Sequence, residues 1–426
     1  VCPHCGHAAM VKLGKGKNKK VEMSLLVHPQ WLAGSPKNDT NGQPFGGSAQ
    51  DDAVSTARWN DERASKIRLL EVRGVLPLEV TCPETKVTFS SEKNGAISRG
   101  NFPCAACGTK QAMVSSLSKI SKAAPMAAYA IQGYAPKRDA EGLPYSGRFF
   151  APFDSQLAHQ QDAAANEWES RKNNDLADYW PRSEIPDSLR ATIKDVLKPG
   201  HWQTHWWTMF NPRQLLVHAQ LLKAIESVGD YNWNVREYVL GAFQQYLRNQ
   251  CMFSFWNPQR DTPEPIFSNS DYRPKATVVE NCVFANLGRG NWSSSAEGIV
   301  EGRDWANQPW EPVGIESLRR SNPALADQLS GKSEKVFPCD PVRSFDVFQG
   351  SSTDLGQLSS GTLDLVVTDP PFGGILQYAE LADFFYVWLR LVLKNKYPYF
   401  QPEYTPKAVE VVSNSFREKE NPDGFY

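Results

Sequence analysis

The stretch that most restricts the fold is Leu363-Asp364-Leu365-Val366-Val367-Thr368-Asp369-Pro370-Pro371-Phe372-Gly373-Gly374. A short apolar, β-branched run ends abruptly in an acid, two prolines, an aromatic and two glycines. That pattern predicts a buried parallel strand delivering a rigid loop at its carboxyl end. Open α/β sheets place their ligands there.

The residue types suit one kind of task. Asp369 offers an acceptor for an amino group. Pro370 and Pro371 fix φ and remove backbone donors, which leaves neighbouring carbonyls free to point at the same amino group. Phe372 supplies a flat face for a base, and Gly373 and Gly374 let the backbone pass close to a ligand. An amino nitrogen conjugated to a purine ring is a poor nucleophile because its lone pair is delocalised. Two acceptors on its hydrogens bias it toward a pyramidal nitrogen that can attack an electrophilic methyl group.

The tetrad Asp369-Pro370-Pro371-Phe372 resembles the catalytic motif, most often written DPPY, of amino-methyltransferases that use S-adenosylmethionine. The longer run TDPPFGGILQYAELADFFYVWLR, residues 368–390, is similar to the adenine-specific DNA methylases that carry a zinc-ribbon insertion, and so is the FNPRQLL string at 210–216. The resemblance implies an α/β, Rossmann-like methyltransferase fold, incomplete in this chain, with a zinc-ribbon module and an α-helical insertion. It implies S-adenosylmethionine as cofactor, DNA as partner, and methyl transfer to the N6 amino group of an adenine flipped out of the duplex. Asp369 and the Pro370 carbonyl would hold the amino group, with Pro371 and Phe372 completing the catalytic tetrad and Phe372 stacking on the base. A restriction-modification or phage-defence setting, with other subunits of a defence complex, is implied by the same likeness. Two other readings stay open: an amino-methyltransferase acting on RNA or on cytosine N4, and a non-catalytic nucleic-acid-binding subunit.

The length of 426 residues allows two or three domains, and 41% apolar with 22% charged residues describes an ordinary globular protein. There is no run of 18 apolar residues and no basic-then-apolar leader, so a cytoplasmic address without membrane is expected. The net charge of −1 is unevenly placed. Residues 1–150 carry 20 Lys+Arg against 12 Asp+Glu, a net of +8, whereas the remainder carries 26 against 35, a net of −9. A basic front suits a polyanion, with Lys12, Lys15, Lys17, Lys19 and Lys20 as its densest run. Those lysines are candidate DNA contacts, and a solvated loop is the alternative.

Eight cysteines stand at 2, 5, 82, 104, 107, 251, 282 and 339. Cys2-Pro3-His4-Cys5-Gly6 and Cys104-Ala105-Ala106-Cys107-Gly108 are knuckles whose two-residue spacers bring both sulfurs to one metal. Cys2, Cys5, Cys104 and Cys107 together would close a tetrahedral, structural zinc site. Cys5 and Cys104 lie 99 positions apart, so the site would be closed by a long insertion in which Cys82, His4 or His7 could replace a ligand. Cys251, Cys282 and Cys339 read as small buried hydrophobes.

Between the knuckles, residues 28–60 read as a long irregular loop. Phe45-Gly46-Gly47-Ser48 is set aside as a cofactor loop because no buried strand precedes it. Lys86–Ser90 reads as a short strand. Residues 154–197 lean toward helix, with Pro181 and Pro186 as breakers. Asn211 before Pro212 predicts a helix start, with Leu215, Leu216, Leu222 and Ile225 on one face. A second helix is expected at about Val235–Phe253, burying Val239, Phe243, Tyr246 and Leu247. Arg213 and Gln214, at the start of the first, are candidate nucleic-acid contacts. Trp202, Trp206, Trp207, Trp256 and Trp292 are expected mainly in the core rather than as a stacking platform.

Val347–Ser352 reads as the strand before the catalytic one, with Gly350 and Ser351 at its end near the cofactor's adenosyl part. The main glycine-rich cofactor loop is not found. The chain begins inside the first knuckle and is expected to be the middle of a longer protein, organised as residues 1–150 (basic zinc-ribbon insertion), 151–335 (helical insertion, DNA recognition) and 336–426 (catalytic part).

Overall fold

A computed structural model describes residues 148–186, 204–228, 232–257, 262–268, 277–284, 290–308, 354–369 and 376–407 continuously, together with short strands and isolated positions elsewhere. Among the described residues, four antiparallel ribbons precede the helices: β1 (Met23–Val27) with β2 (Leu69–Arg73), β3 (Glu79–Thr81) with β4 (Thr88–Ser90), β5 (Asn101–Pro103) with β6 (Lys110–Ala112), and β7 (Ala130–Tyr134) with β8 (Arg148–Pro152). β4 covers the last three residues of the strand expected at Lys86–Ser90, while Lys86 itself takes φ 59°. Pro103 pairs with Lys110, and the second knuckle, between them in sequence, lies outside the described residues.

Asp154 then starts α1 (Ser155–Arg171), its Oδ1 accepting the Leu157 N–H at 2.9 Å. The helix ends ten positions before Pro181, so the proline does not set its length.

Asn211 and Gln214 begin α2 (Pro212–Val228) as a reciprocal capping pair. The Gln214 N–H donates to Asn211 Oδ1 at 2.9 Å and the Asn211 N–H to Gln214 Oε1 at 3.1 Å. Leu215, Leu216, Leu222 and Ile225 are all buried on its inner face, as the periodicity predicts. Asn232 caps α3 (Trp233–Leu247), whose Phe243, Tyr246 and Leu247 are buried while Val239 is half-buried against the same core.

That helix stops at Leu247 instead of continuing to 253. Buried Gln250 is drawn off by tertiary partners, its Nε2 donating to the carbonyls of Cys282 at 3.0 Å and Gly290 at 2.7 Å. Gly290 sits at φ +70°, and a Cβ there would stand 2.3 Å from the Asn249 side chain.

A short ribbon of β9 (Phe255–Asn257) and β10 (Thr262–Glu264) precedes α4 (Trp292–Asn307), which packs along α3. Another, β11 (Glu311–Val313) with β12 (Glu334–Val336), comes after it. A further helix, α5 (Tyr378–Leu393), threads into the same core. Phe210 stacks on Phe384 with ring centres 5.7 Å apart and meets Trp388 edge-on at 5.3 Å. Trp206 and Trp256 are buried, Trp207 and Trp292 pack at the rim, and Trp202 lies outside the described residues.

The run before the motif also differs from its sequence expectation. Leu363–Val367 forms no strand and is not buried: Leu363, Leu365, Val366 and Val367 are 53, 78, 65 and 85% exposed. Phe348, in the expected preceding strand, is 55% exposed. The physical reason is pairing. A parallel strand persists only with hydrogen-bonded neighbours and covered faces, and among the described residues every paired strand belongs to a two-stranded antiparallel ribbon elsewhere.

Candidate active site

The segment leading to Asp369 is shaped by short-range hydrogen bonds. Asp354 Oδ1 accepts the Gly356 N–H at 3.0 Å, the Leu358 N–H donates to the Leu355 carbonyl at 2.8 Å, and Gly361 takes φ +76°. The chain then runs out to Asp369, which is exposed and has no partner among the described residues. Pro370, Pro371 and Phe372 lie outside the described residues, which resume at Leu376.

The helix beyond the motif is firmly held. It buries Phe384, Val387, Trp388 and Val392 along one stripe, and two carboxylates, Glu380 and Asp383, lie fully buried on the same side. Gln377 precedes the helix without capping it through its side chain. The open N–H of Ala379 is instead met by Glu410 Oε1 at 3.0 Å, from 31 positions downstream. The positive end of the helix favours a carboxylate there.

One turn on, Asp383 Oδ1 accepts the Thr405 N–H at 2.9 Å and lies 2.6 Å from Thr405 Oγ1, while its Oδ2 pairs with Lys407 Nζ at 2.7 Å. Thr405 Oγ1 also lies 2.9 Å from the Ala379 carbonyl. Tyr272, itself buried, donates its phenol to the Glu380 carbonyl at 3.0 Å. Farther along, Tyr386 Oη donates to the Pro402 carbonyl at 2.7 Å, and Arg390 reaches the carbonyls of Pro402 at 3.0 Å and Gln401 at 2.9 Å. The returning segment 398–407 is therefore stitched along the outside of α5.

The core beneath holds one titratable group of note. His218 is fully buried, with Nε2 2.9 Å from the Gln250 carbonyl and Nδ1 3.0 Å from Tyr246 Oη. A carbonyl only accepts, so the proton sits on Nε2 and Nδ1 accepts from the phenol. Burial holds the imidazole down to about 4, partly offset by the bond to the carbonyl.

The other sequence candidates separate clearly. Gln214 is buried and its carbonyl belongs to the cap, so it is not offered at the surface as a nucleic-acid contact. Arg213 is ion-paired with Glu280 at 2.6 Å, and Asn211 donates to the same carboxylate at 2.7 Å, so a phosphate would have to displace that pairing. Gly350 is exposed; Ser351 lies outside the described residues, as do Lys12, Lys15, Lys17, Lys19 and Lys20 and the knuckles' Cys2, Cys5, Cys104 and Cys107. His4 and His7 lie outside them too. Cys82 is buried in the turn after β3, its carbonyl accepting the Lys86 N–H at 2.9 Å where Lys86 takes φ 59°. Burial pushes the Cys251 thiol up to about 11, in keeping with a structural role. Among the described residues no group of three His, Cys, Asp or Glu is placed to hold a metal, and no helix is long and apolar enough to cross a membrane.

A cavity of about 390 Å³ lies between the 177–183 turn and the far half of α5, lined by Trp180, Arg182, Arg390, Lys394 and Glu403. At 1.5 Å per residue, Arg390 is roughly 18 Å along the helix from Tyr378, so the cavity is remote from the motif's end of α5. Sequence reasoning missed the grip on that end. Its one legible signal is the pair of acids Glu380 and Asp383, at helical spacing within the apolar stripe.

No family model, no curated protein and no solved structure matches this chain.

Proposed function

We propose that the protein transfers a methyl group from S-adenosylmethionine to the N6 amino group of adenine in DNA. The observation that carries the reading is the motif in its setting: Asp369-Pro370-Pro371-Phe372 runs within a few residues into a helix whose first turns are held by polar contacts, while Asp369 itself is open to solvent. Reactive loops need a rigid support and an accessible reactive group.

In this reading Asp369 accepts one amino hydrogen and the Pro370 carbonyl the other, drawing the nitrogen lone pair out of ring conjugation. Phe372 stacks on the extruded base. S-adenosylmethionine, when bound, supplies an electrophilic methyl group on its sulfonium. Asp369 is also an acceptor for the proton that the nitrogen sheds once the new carbon–nitrogen bond has formed. The reading calls for a Rossmann-like methyltransferase sheet, with Gly350 and Ser351 toward the cofactor, and Leu363–Val367 by itself does not supply a strand to it. Cys2, Cys5, Cys104 and Cys107 would supply four thiolates to a structural zinc. The basic run from Lys12 to Lys20 would meet DNA phosphate. A cytoplasmic setting in phage defence, with further subunits, completes the reading.

The test is methyl transfer from labelled S-adenosylmethionine to unmethylated DNA by the protein and its Asp369→Ala variant. Label at adenine N6 that falls by at least a hundredfold in the variant is the expected result. Digestion to nucleosides separates adenine N6 from cytosine N4, and an RNA substrate run in parallel separates the nucleic acids. DNA binding with no label from either protein would overturn the enzyme reading in favour of a binding subunit.

A further inference from the structure

The cavity between the 177–183 turn and the far half of α5 gathers cations that have no carboxylate partner. Elsewhere among the described residues, Arg171, Arg213, Lys223, Lys396 and Lys407 each stand beside an acid. Arg182, Arg390 and Lys394 line the space of about 390 Å³, and none of the three forms an ion pair among the described residues. Two carboxylates, Asp178 and Glu403, line it as well and stay out of ion-pair reach of these cations.

The two guanidiniums are held in place without being neutralised. Arg182 lies over the Trp180 ring at 4.5 Å and donates to the Ala177 carbonyl at 3.2 Å and to Asn173 Oδ1 at 3.4 Å. Trp180 is fixed in turn, its Nε1 donating to the Lys172 carbonyl at 2.9 Å and its ring meeting Trp168 and Trp207 edge-on at 5.4 and 6.0 Å. From α5, Arg390 directs Nε to the Pro402 carbonyl at 3.0 Å and Nη2 to the Gln401 carbonyl at 2.9 Å, which leaves Nη1. Lys394, one turn on along the same face, is exposed, and its ammonium has no partner among the described residues. A cation in the last turn of a helix also offsets the helix's negative end, which accounts for the two on α5. It does not account for Arg182, which comes from a separate turn. Carbonyls and an aromatic face orient a guanidinium and leave its charge for a ligand, so little ordering remains to be done on capture.

We infer that this cavity binds an organic phosphate, with Arg182, Arg390 and Lys394 as its cations. Arginine forks match phosphate oxygens, and lysine adds a point charge. About 390 Å³ exceeds what a bare phosphate fills and lies within the range of small-molecule pockets, so the phosphate carries a body. Asp178 and Glu403 are acceptors for hydroxyl or amino hydrogens on that body. A nucleoside monophosphate unit has these parts: a phosphate, hydrogen-bond donors and a suitable size. It is presented either as a free nucleotide or as one unit of a DNA strand. The inference stands apart from the proposed methyl transfer, because the cavity lies at the opposite end of α5 from the motif.

The experiment titrates wild type, Lys394→Gln, Arg182→Gln and Arg303→Gln with deoxyadenosine monophosphate, with deoxyadenosine and with a short DNA duplex. Arg303, on α4 against Tyr238, lies outside the cavity lining and controls for the loss of one charge anywhere. Lys394→Gln and Arg182→Gln should each weaken the monophosphate or the duplex by about fivefold or more, and Arg303→Gln by less than about twofold. Lys394 is exposed and unpaired, so Lys394→Gln serves if Arg182→Gln fails to fold. Loss on the monophosphate identifies a nucleotide site, whereas loss on the duplex alone identifies a strand phosphate. Equal weakening in all three variants, weakening in none, or deoxyadenosine binding as tightly as its monophosphate would overturn the site. A wild type that binds neither phosphate probe would overturn it too. None of these readouts uses methyl transfer, so an inactive wild type would overturn the proposed reaction and leave this site standing.

Discussion

Trp388 and Val367 stand 21 positions apart and are both apolar, yet Trp388 is fully buried and Val367 is 85% exposed. The difference is one of completeness. A helix closes its own backbone hydrogen bonds, so α5 needs only one stripe covered, and α2 and α3 cover it. A β-branched run such as Leu363–Val367 needs neighbours for its backbone and cover for both faces before it gains anything from its side chains. The same hydrophobic effect therefore builds the helical body outright and leaves the run before Asp369 dependent on what pairs with it.

The sharpest check on the helical side is Trp388→Ala. The indole lies among Phe210, His218 and Phe243, with ring centres at 5.3, 5.7 and 6.0 Å. Removing it should lower stability by about 4 kcal/mol in chemical denaturation, the range for large aromatic deletions that leave a cavity. A loss under about 1 kcal/mol would mean that α5 is not seated in this core.

His218 tests the same core through pH. Its imidazole titrates at about 4 when folded, against roughly 6.5 in an unfolded chain. The folded pKa is depressed, so the unfolded state takes up the proton first as pH falls. The contribution to stability is fully present above about 6.5, declines through the interval, and is lost as pH passes about 4, for a total of about 3 kcal/mol. Denaturation midpoints measured between these limits should fall with acid, and His218→Gln should flatten that slope. An unchanged slope would place the titration elsewhere.

How much of this was legible in the sequence depends on the range of the interactions. The start of α2 was readable because Asn211, Pro212 and Gln214 settle it among themselves. Its buried face was readable because periodicity is local. The end of α3 was not, because Gln250 answers to Cys282 and Gly290, more than 30 positions away. The partners of Ala379 and Asp383 are illegible for the same reason: Glu410 and Thr405 arrive on an irregular segment that no pattern registers with α5. The tetrad itself was the plainest signal in the chain, since Asp-Pro-Pro-Phe has few structural reasons to occur. Its strand was read from composition, which states that a segment should be covered and is silent on what covers it. Arg213 looked available at a helix start, and only the tertiary partner Glu280 shows that it is already engaged.

The smallest effect bears most directly on the comparison. Val367→Asn replaces an apolar side chain that is 85% exposed, at a position in no strand. Surface substitutions of this kind usually change stability by less than about 0.5 kcal/mol, and asparagine's poor fit to a strand carries no penalty where no ladder exists. The expected result is therefore a denaturation curve that overlays wild type. A loss of about 2 kcal/mol or more would show that Leu363–Val367 is covered in solution, because only a buried β-branched side chain costs that much to make polar. That outcome would erase the contrast with Trp388 and make the stretch before Asp369 part of a packed sheet. Overlaying curves would keep the contrast, with the helical body packed and the run before Asp369 uncovered.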